Sequence, residues 1–171
     1  IGDKTYGGRN QLIMGCKTSD IPTDGAIVDY IAGNAFSGNT ELKNLTIPTN
    51  IIEIASNAFD GCINLFRDEN NIRYVDKWAI GCSIKSNELV TIRFAEDTVG
   101  IAGDFVGLYS NDKDYSMMAR KIGAVVTNAN LKYISRQAFY DCYNLTSVTL
   151  NDGLLYISGS AFGSCTKLTE I

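Results

Sequence analysis

Three things are missing from this chain: histidine, a long apolar run and a basic cluster. With no histidine among its 171 residues, Ser-His-Asp triads, Cys-His pairs and histidine-based metal sites are excluded. No apolar stretch approaches the roughly 18 residues of a membrane span. The net charge is −4, and the longest basic cluster is only Arg120-Lys121, whereas nucleic-acid binding requires clustered Lys and Arg at phosphates. We therefore expect no nucleic-acid partner and no membrane span in this chain.

The remaining chemical candidates are weak. Cys16 has one basic neighbour, Lys17, which is poor activation for a thiolate nucleophile. The acidic pairs at 68–69 and 96–97 are adjacent in turn-like segments, where solvated loop acids are the ordinary interpretation. The run 112–114 lacks the glycine and the distal glutamate of a calcium loop. We predict no catalytic residue, no metal site and no cofactor; a hydrolase is only a remote alternative.

What the chain does contain is a repeat. Four stretches share an Ile followed four and five residues later by Ala-Phe: 31–36, 54–59, 134–139 and 157–162. Phe36 and Phe59 are 23 residues apart, and so are Phe139 and Phe162. A fixed period of this length is typical of a solenoid, in which each unit buries its apolar edge against its neighbours.

The last full unit, 145–167, shows the internal pattern. Apolar residues at its first, fourth and sixth positions alternate as in a short strand with one inward face. Further apolar residues follow a turn, and the Ala-Phe pair and a Cys close the unit. Units 42–64 and 122–144 fill the same slots. The predicted fold class is an α/β repeat solenoid with a short-stranded parallel sheet, in which the four repeat Phe rings share one continuous apolar column.

Two units between these are irregular. Unit 65–88 carries Tyr74 through Cys82 in place of the Ala-Phe core, and this module resembles Gln11 through Cys16 near the start. We interpret both as β-hairpin-like insertions that remain in the stack. Unit 89–121 ends in Phe105-Val106 and carries an insertion at 107–120, where helix-forming residues after plausible N-caps predict a short helix at about 112–120.

The units together predict a single repeat domain over 1–171. It starts without a signal-peptide pattern, and its end, Leu168 to Ile171, resembles the opening of another repeat. We expect a fragment of a longer protein whose uncapped ends could support self-association. The predicted units are about 19–41, 42–64, 65–88, 89–121, 122–144 and 145–167.

Cysteines occupy a repeated slot. Cys62, Cys142 and Cys165 each follow the repeat Phe by three residues, and the first unit has Asn39 there. Two interpretations stay open: a ladder of small buried side chains, or disulfides between adjacent units. Two interpretations also stay open for Trp78: it belongs to the core of the hairpin, or it is an exposed anchor.

Two sets of side chains are candidates for binding. The first set flanks the inward strand residues and should form a row across neighbouring units, although these small residues are also simply good strand formers: Asn44, Thr46, Thr91, Arg93, Ala124, Val126, Ser147 and Thr149. The second set lies in the insertion and combines aromatic and adaptable side chains found at interfaces, although it could equally pack a helix onto the stack: Tyr109, Tyr115, Met117 and Met118.

The aligned pattern L-x-x-(I/V)-x-(I/L)-(P/N)-x-x-(I/L)-x-x-I-x-x-x-A-F-x-x-C resembles the BspA-like leucine-rich repeat. The resemblance rests on 42–64, 122–144 and 145–167, and on Ile-Pro at 21–22 and 47–48. It implies a right-handed solenoid with a parallel sheet on one face, secreted or at the cell surface. It also implies an adhesion role toward a protein or glycan partner, host-derived ones included. A structural spacer without its own ligand is the alternative.

Overall fold

The computed structural model describes residues 5–6, 9–12, 21, 28–107 and 118–171. These residues form short strands connected by turns. In chain order the strands are β1 Thr5–Tyr6, β2 Arg9–Leu12, β3 Tyr30–Ile31, β4 Glu53–Ile54, β5 Ile72–Val75, β6 Trp78–Cys82, β7 Val90–Arg93, β8 Gly100–Ile101, β9 Ile122–Val126, β10 Tyr133–Ile134, β11 Ser147–Thr149 and β12 Tyr156–Ile157.

Most strand pairs are parallel and join one repeat unit to the next. The first sheet has the order β1-β2-β3-β4, the second β12-β10-β8-β6-β5 and the third β11-β9-β7. Tyr133 pairs with Tyr156, so the register follows the 23-residue period. A repeat fold of mostly parallel strands is therefore confirmed. Of the predicted helix at 112–120, Met118 and Ala119 are helical, and 112–117 lies outside the described residues.

The hairpin interpretation is confirmed for the second module. Strands β5 and β6 are antiparallel, and β6 then pairs in parallel with β8, so the hairpin stays within the sheet. An antiparallel pair followed by a parallel strand also occurs at the start, as β1-β2-β3. The Gly15-Cys16 end of the first module lies outside the described residues.

The repeat Phe rings stack where adjacent units both contain Ala-Phe. Phe36 and Phe59 lie 5.0 Å apart at 3°, and Phe139 and Phe162 lie 5.3 Å apart at 2°. Each of these units turns through a left-handed residue two positions before the Phe, with φ between 57° and 62°. Asn tolerates this region better than most residues, and the four positions are Asn34, Asn57, Gln137 and Ser160.

The irregular fourth unit keeps this turn but shifts its aromatic residue. Asp104 adopts the left-handed conformation with φ 54°, so Phe105 takes the Ala slot and Val106 the Phe slot. Both side chains are fully buried. Phe105 contacts Phe139 at 5.5 Å but at 57°, because its ring starts from a different backbone position.

The expectation of one continuous apolar column is wrong. The buried apolar residues form two clusters. The first cluster contains Phe36 and Phe59, and the second contains Phe105 and Phe139, with Phe162 packed against it. The physical reason lies in strands β6 and β8 of the second sheet, which bury side chains on both faces.

Alternation along β6 and β8 directs side chains into both clusters. Ala79 and Ile101 face the second cluster, whereas Trp78 and Ala102 face the first. Gly100 lies in register between Trp78 and Tyr133, whose rings are parallel at 6.0 Å. A Cβ at Gly100 would lie 2.5 Å from the Trp78 ring, so only glycine fits there. Trp78 is 2% exposed, which confirms hairpin core.

The two clusters are also joined along β4. Gly103 donates its N–H to the Ile54 carbonyl at 2.8 Å, and the Ile54 N–H donates to Ser135 Oγ at 3.2 Å. Ser158 Oγ donates to the buried Glu53 carboxylate at 3.2 Å. Units that are far apart in the sequence therefore meet at the edge of β4. Neither strand of the following unit, β5 or β6, pairs with β4.

Candidate functional site

The third sheet aligns most of the predicted recognition row. Strands β7, β9 and β11 pair in parallel, so one row contains Thr91, Ala124 and Ser147. A second row in the same register contains Arg93, Val126 and Thr149. Between the two rows, Ile92, Val125 and Val148 point inward and are buried. The alternation predicted from sequence is confirmed for these three strands, since inward and outward residues alternate with a period of two.

Asn44 and Thr46 do not join that row. Both side chains are exposed in a segment without strand pairing, and their unit packs into the first apolar cluster through Leu45 and Ile47. The predicted row therefore stops at β7. The physical reason is that the intervening hairpin pairs with the second sheet and not with the third.

Polar side chains hold adjacent units together along the turns. Asn64 Nδ2 donates to the Thr40 carbonyl at 2.7 Å, and Asn144 Nδ2 donates to the Arg120 carbonyl at 2.8 Å. Asn50 bonds to the Val28 carbonyl in a similar way. Sequence reasoning missed these asparagines. The signal available was their recurrence at matching positions of different units.

The repeated cysteines form a thiol ladder. Cys62 Sγ donates to the Phe36 carbonyl at 3.1 Å, and Cys165 Sγ donates to the Phe139 carbonyl at 3.2 Å. Asn39, in the same slot of the first unit, instead donates from Nδ2 to the Phe36 carbonyl of its own unit, at 2.9 Å. The described cysteines are free, so the ladder interpretation is confirmed over disulfides for them; Cys16 lies outside the described residues.

Three of the described thiols lie in surroundings that disfavour the thiolate, whereas a hydrogen bond with Cys142 lowers the pKa of Cys165. Burial raises the pKa of Cys62, and burial raises the pKa of Cys82 to about 12. A hydrogen bond with Cys165, and then burial, raise the pKa of Cys142. Within the described residues, no group of three or more Cys, Asp or Glu side chains could hold a metal ion.

Of the four candidate residues in the insertion, Met118 lies within the described residues. Tyr109, Tyr115 and Met117 lie outside the described residues. Met118 is half-buried and, with Gly107, lines a cavity of about 180 Å³ at the junction of the two clusters. Arg67 and Arg73 line the same cavity. Burial, and then the proximity of Arg67, lower the pKa of the Arg73 guanidinium.

Two larger clefts flank the sheets. One, of about 370 Å³, places Thr46 near the stacked Trp78 and Tyr133 rings, beside the first cluster. The other, of about 340 Å³, runs beside β7 and includes the predicted residues Thr91 and Arg93. In the described part of the chain, no helix is long and apolar enough to span a membrane.

Comparison with known proteins identifies the class of protein. The family model for the BspA type leucine rich repeat region matches residues 10–99 and 113–171 with six copies, which is most of the chain. The chain therefore belongs to the BspA-type leucine-rich repeat family, a non-enzymatic repeat family.

The crystal structure of the pneumococcal vaccine antigen PcpA is similar with a TM-score of 0.41 and 17% identity. The match covers 74% of this chain but 38% of that chain. No curated protein matches this sequence.

Proposed function

We propose that this chain is a non-catalytic binding or adhesion module that recognises a protein or glycan partner outside the cell. The observation that carries the proposal is the pair of outward rows on β7, β9 and β11. Repeat folds present such aligned rows as extended binding surfaces. We further propose that the repeats continue the right-handed solenoid path of the family, and that the chain lies at the cell surface or is secreted.

The sheet face supports contact with a partner by its shape more than by its charge. Arg93 is the charged residue of the two rows, and its neighbours are small or β-branched. Small side chains let a partner approach the strands closely, and Met118 and the tyrosines of the 107–120 insertion would add adaptable contacts.

The same neutral surface favours a second candidate, a structural spacer that holds other domains apart. Interfaces are enriched in aromatic residues and Arg at their centres, and these two rows contain no aromatic residue. A spacer requires only the stacked units, which the buried clusters supply.

An attachment assay separates the binding module from the spacer. Beads coated with this chain are tested for attachment to host cells or to extracellular matrix. The face variant Ser147→Glu with Thr149→Glu adds two charges to the rows, and the insertion variant replaces Tyr109, Tyr115 and Met118 with Ala. Thr166→Glu, an exposed turn position, is the control for added charge. A binding module loses attachment in the face or insertion variant and keeps it in the control. Attachment unchanged in both variants, with folding intact, contradicts the proposal and supports the spacer.

A further inference from the structure

Among the described strands, β7 has one edge that pairs with no other strand. It is the last strand of the third sheet, and its partner there is β9. Val90 donates its N–H to the Lys121 carbonyl on the β9 side. Since backbone groups alternate along a strand, the N–H and C=O groups of Thr91 and Arg93 point to the opposite side.

The register of the sheet supports the same orientation. Thr149 occupies the row of Arg93, and its carbonyl accepts from the Thr127 N–H of the preceding unit. The Arg93 carbonyl should face the preceding unit in the same way. Among the described residues, no hydrogen bond to the Thr91 or Arg93 backbone comes from that side.

This edge is unpaired because the strands of the preceding unit pair within another sheet. Strands β5 and β6, which precede β7 in the chain, form the hairpin of the second sheet. Exposed edges of this kind are templates for pairing with another chain unless they are covered. Here the chain leaves a cleft of about 340 Å³ between β7 and residues 83–86.

This cleft has its own charge. Lys85 and Arg93 line it, and both side chains are exposed. Its other lining residues are neutral, whereas the whole chain carries 19 acidic residues and a net charge of −4. Ile72 and Ile92 form a buried floor. The cleft therefore combines unpaired backbone groups, an apolar floor and two cations.

We propose that the edge of β7 binds an extended acidic peptide segment of a partner protein by strand addition. The peptide backbone pairs with Thr91 and Arg93, and its carboxylates bind Lys85 and the Arg93 guanidinium, which matches carboxylate geometry. The length of β7 accommodates about four peptide residues. This inference rests on the proposed binding function and names a partner class for it.

The test uses a blocked hexapeptide of alternating valine and glutamate, titrated into isotope-labelled protein while backbone amide shifts are recorded. We expect the largest saturable shifts at Thr91 and Arg93. The same peptide with lysine in place of glutamate should not bind, and neither should the acidic peptide N-methylated on alternate amides, which cannot complete a strand ladder.

Variants of the protein complete the design. Lys85→Glu with Arg93→Glu should weaken binding about tenfold or more, whereas Lys43→Glu, an exposed lysine away from the cleft, should leave it unchanged. Thr91→Pro removes the edge N–H, and proline is tolerated on edge strands; it should abolish binding. If Thr91→Pro does not fold, the N-methylated peptide on the unmodified protein tests the same bond.

Several results would overturn the proposal. They are equal binding of the lysine or N-methylated peptide, no saturable shift, or shifts confined to Ala124 and Ser147 on the sheet face. Self-association that Thr91→Pro removes, without peptide binding, would assign the edge to a second copy. Because the proposed function is tested by attachment of the Ser147 and Thr149 variant, the two can fail separately.

Discussion

The two apolar clusters are built from the same repeat but differ in regularity. The first contains one stacked Phe36–Phe59 pair, whereas the second continues from the stacked Phe139–Phe162 pair into the tilted Phe105 and Phe94. Identical slots give parallel rings, and a shifted aromatic gives a tilted one. The comparison shows that the period determines which residues are buried, while the actual residue in each slot determines how they pack.

The largest expected effect comes from removing one Phe from each cluster. Phe36 and Phe139 are both 0% exposed, so Phe36→Ala and Phe139→Ala should each reduce the free energy of unfolding by about 3–5 kcal/mol. Urea unfolding followed by circular dichroism measures both. A loss below about 1 kcal/mol would mean that the inward face is misassigned. Two separate transitions in either variant would show that the clusters unfold independently.

The junction between the clusters is tested at Gly103. A Cβ there would lie 2.8 Å from the Arg136 carbonyl and 3.0 Å from the Ser56 nitrogen, so Gly103→Ala should destabilise the protein by about 1–3 kcal/mol through overpacking. The matched control is Gly159→Ala, since no atom lies within 4 Å of its added Cβ. Equal stability of the two variants in thermal unfolding would contradict the close approach of the units at β4.

Cys82, on the β5–β6 hairpin, should make the free energy of unfolding depend on pH. Burial raises its pKa from the ordinary value of 9.0 to about 12. A thiol with a raised folded-state pKa contributes stability that is complete below pH 9 and is lost as the pH rises toward 12. At pH 10 the loss from this thiol should be about 1 kcal/mol. Urea midpoints of the unmodified protein and of Cys82→Ala, measured at pH 7 and pH 10, isolate the contribution of this thiol. If both proteins lose the same stability between the two pH values, the prediction is wrong.

The smallest expected effect concerns the asparagine ties between units. Asn144→Ala removes the bond to the Arg120 carbonyl and the contact with Lys167 Nζ, and should cost about 0.5–1.5 kcal/mol. Asn87→Ala, at an exposed position, should change stability little. If the two variants melt at the same temperature, the ties between units do not contribute measurably.

Much of the local structure could be predicted because it depends on neighbours one period apart. The inward positions Ile92, Val125 and Val148, the hairpin at β5–β6 and the cysteine ladder all follow from residue types at fixed spacing. The Asn ties were visible in the same spacing but were missed. The side chains of Tyr109, Tyr115 and Met117 lie outside the described residues, so their role stays a prediction.

The sequence by itself determined the repeat, its inward face and its family, because a 23-residue period specifies contacts between consecutive units. Only the tertiary structure decided that the core divides in two, that Glu53 meets Ser158, and that one edge of β7 has no partner among the described strands. Those features depend on which sheet faces remain to be buried once each unit has packed on its neighbour. Partners 105 residues apart leave no periodic signal in the chain.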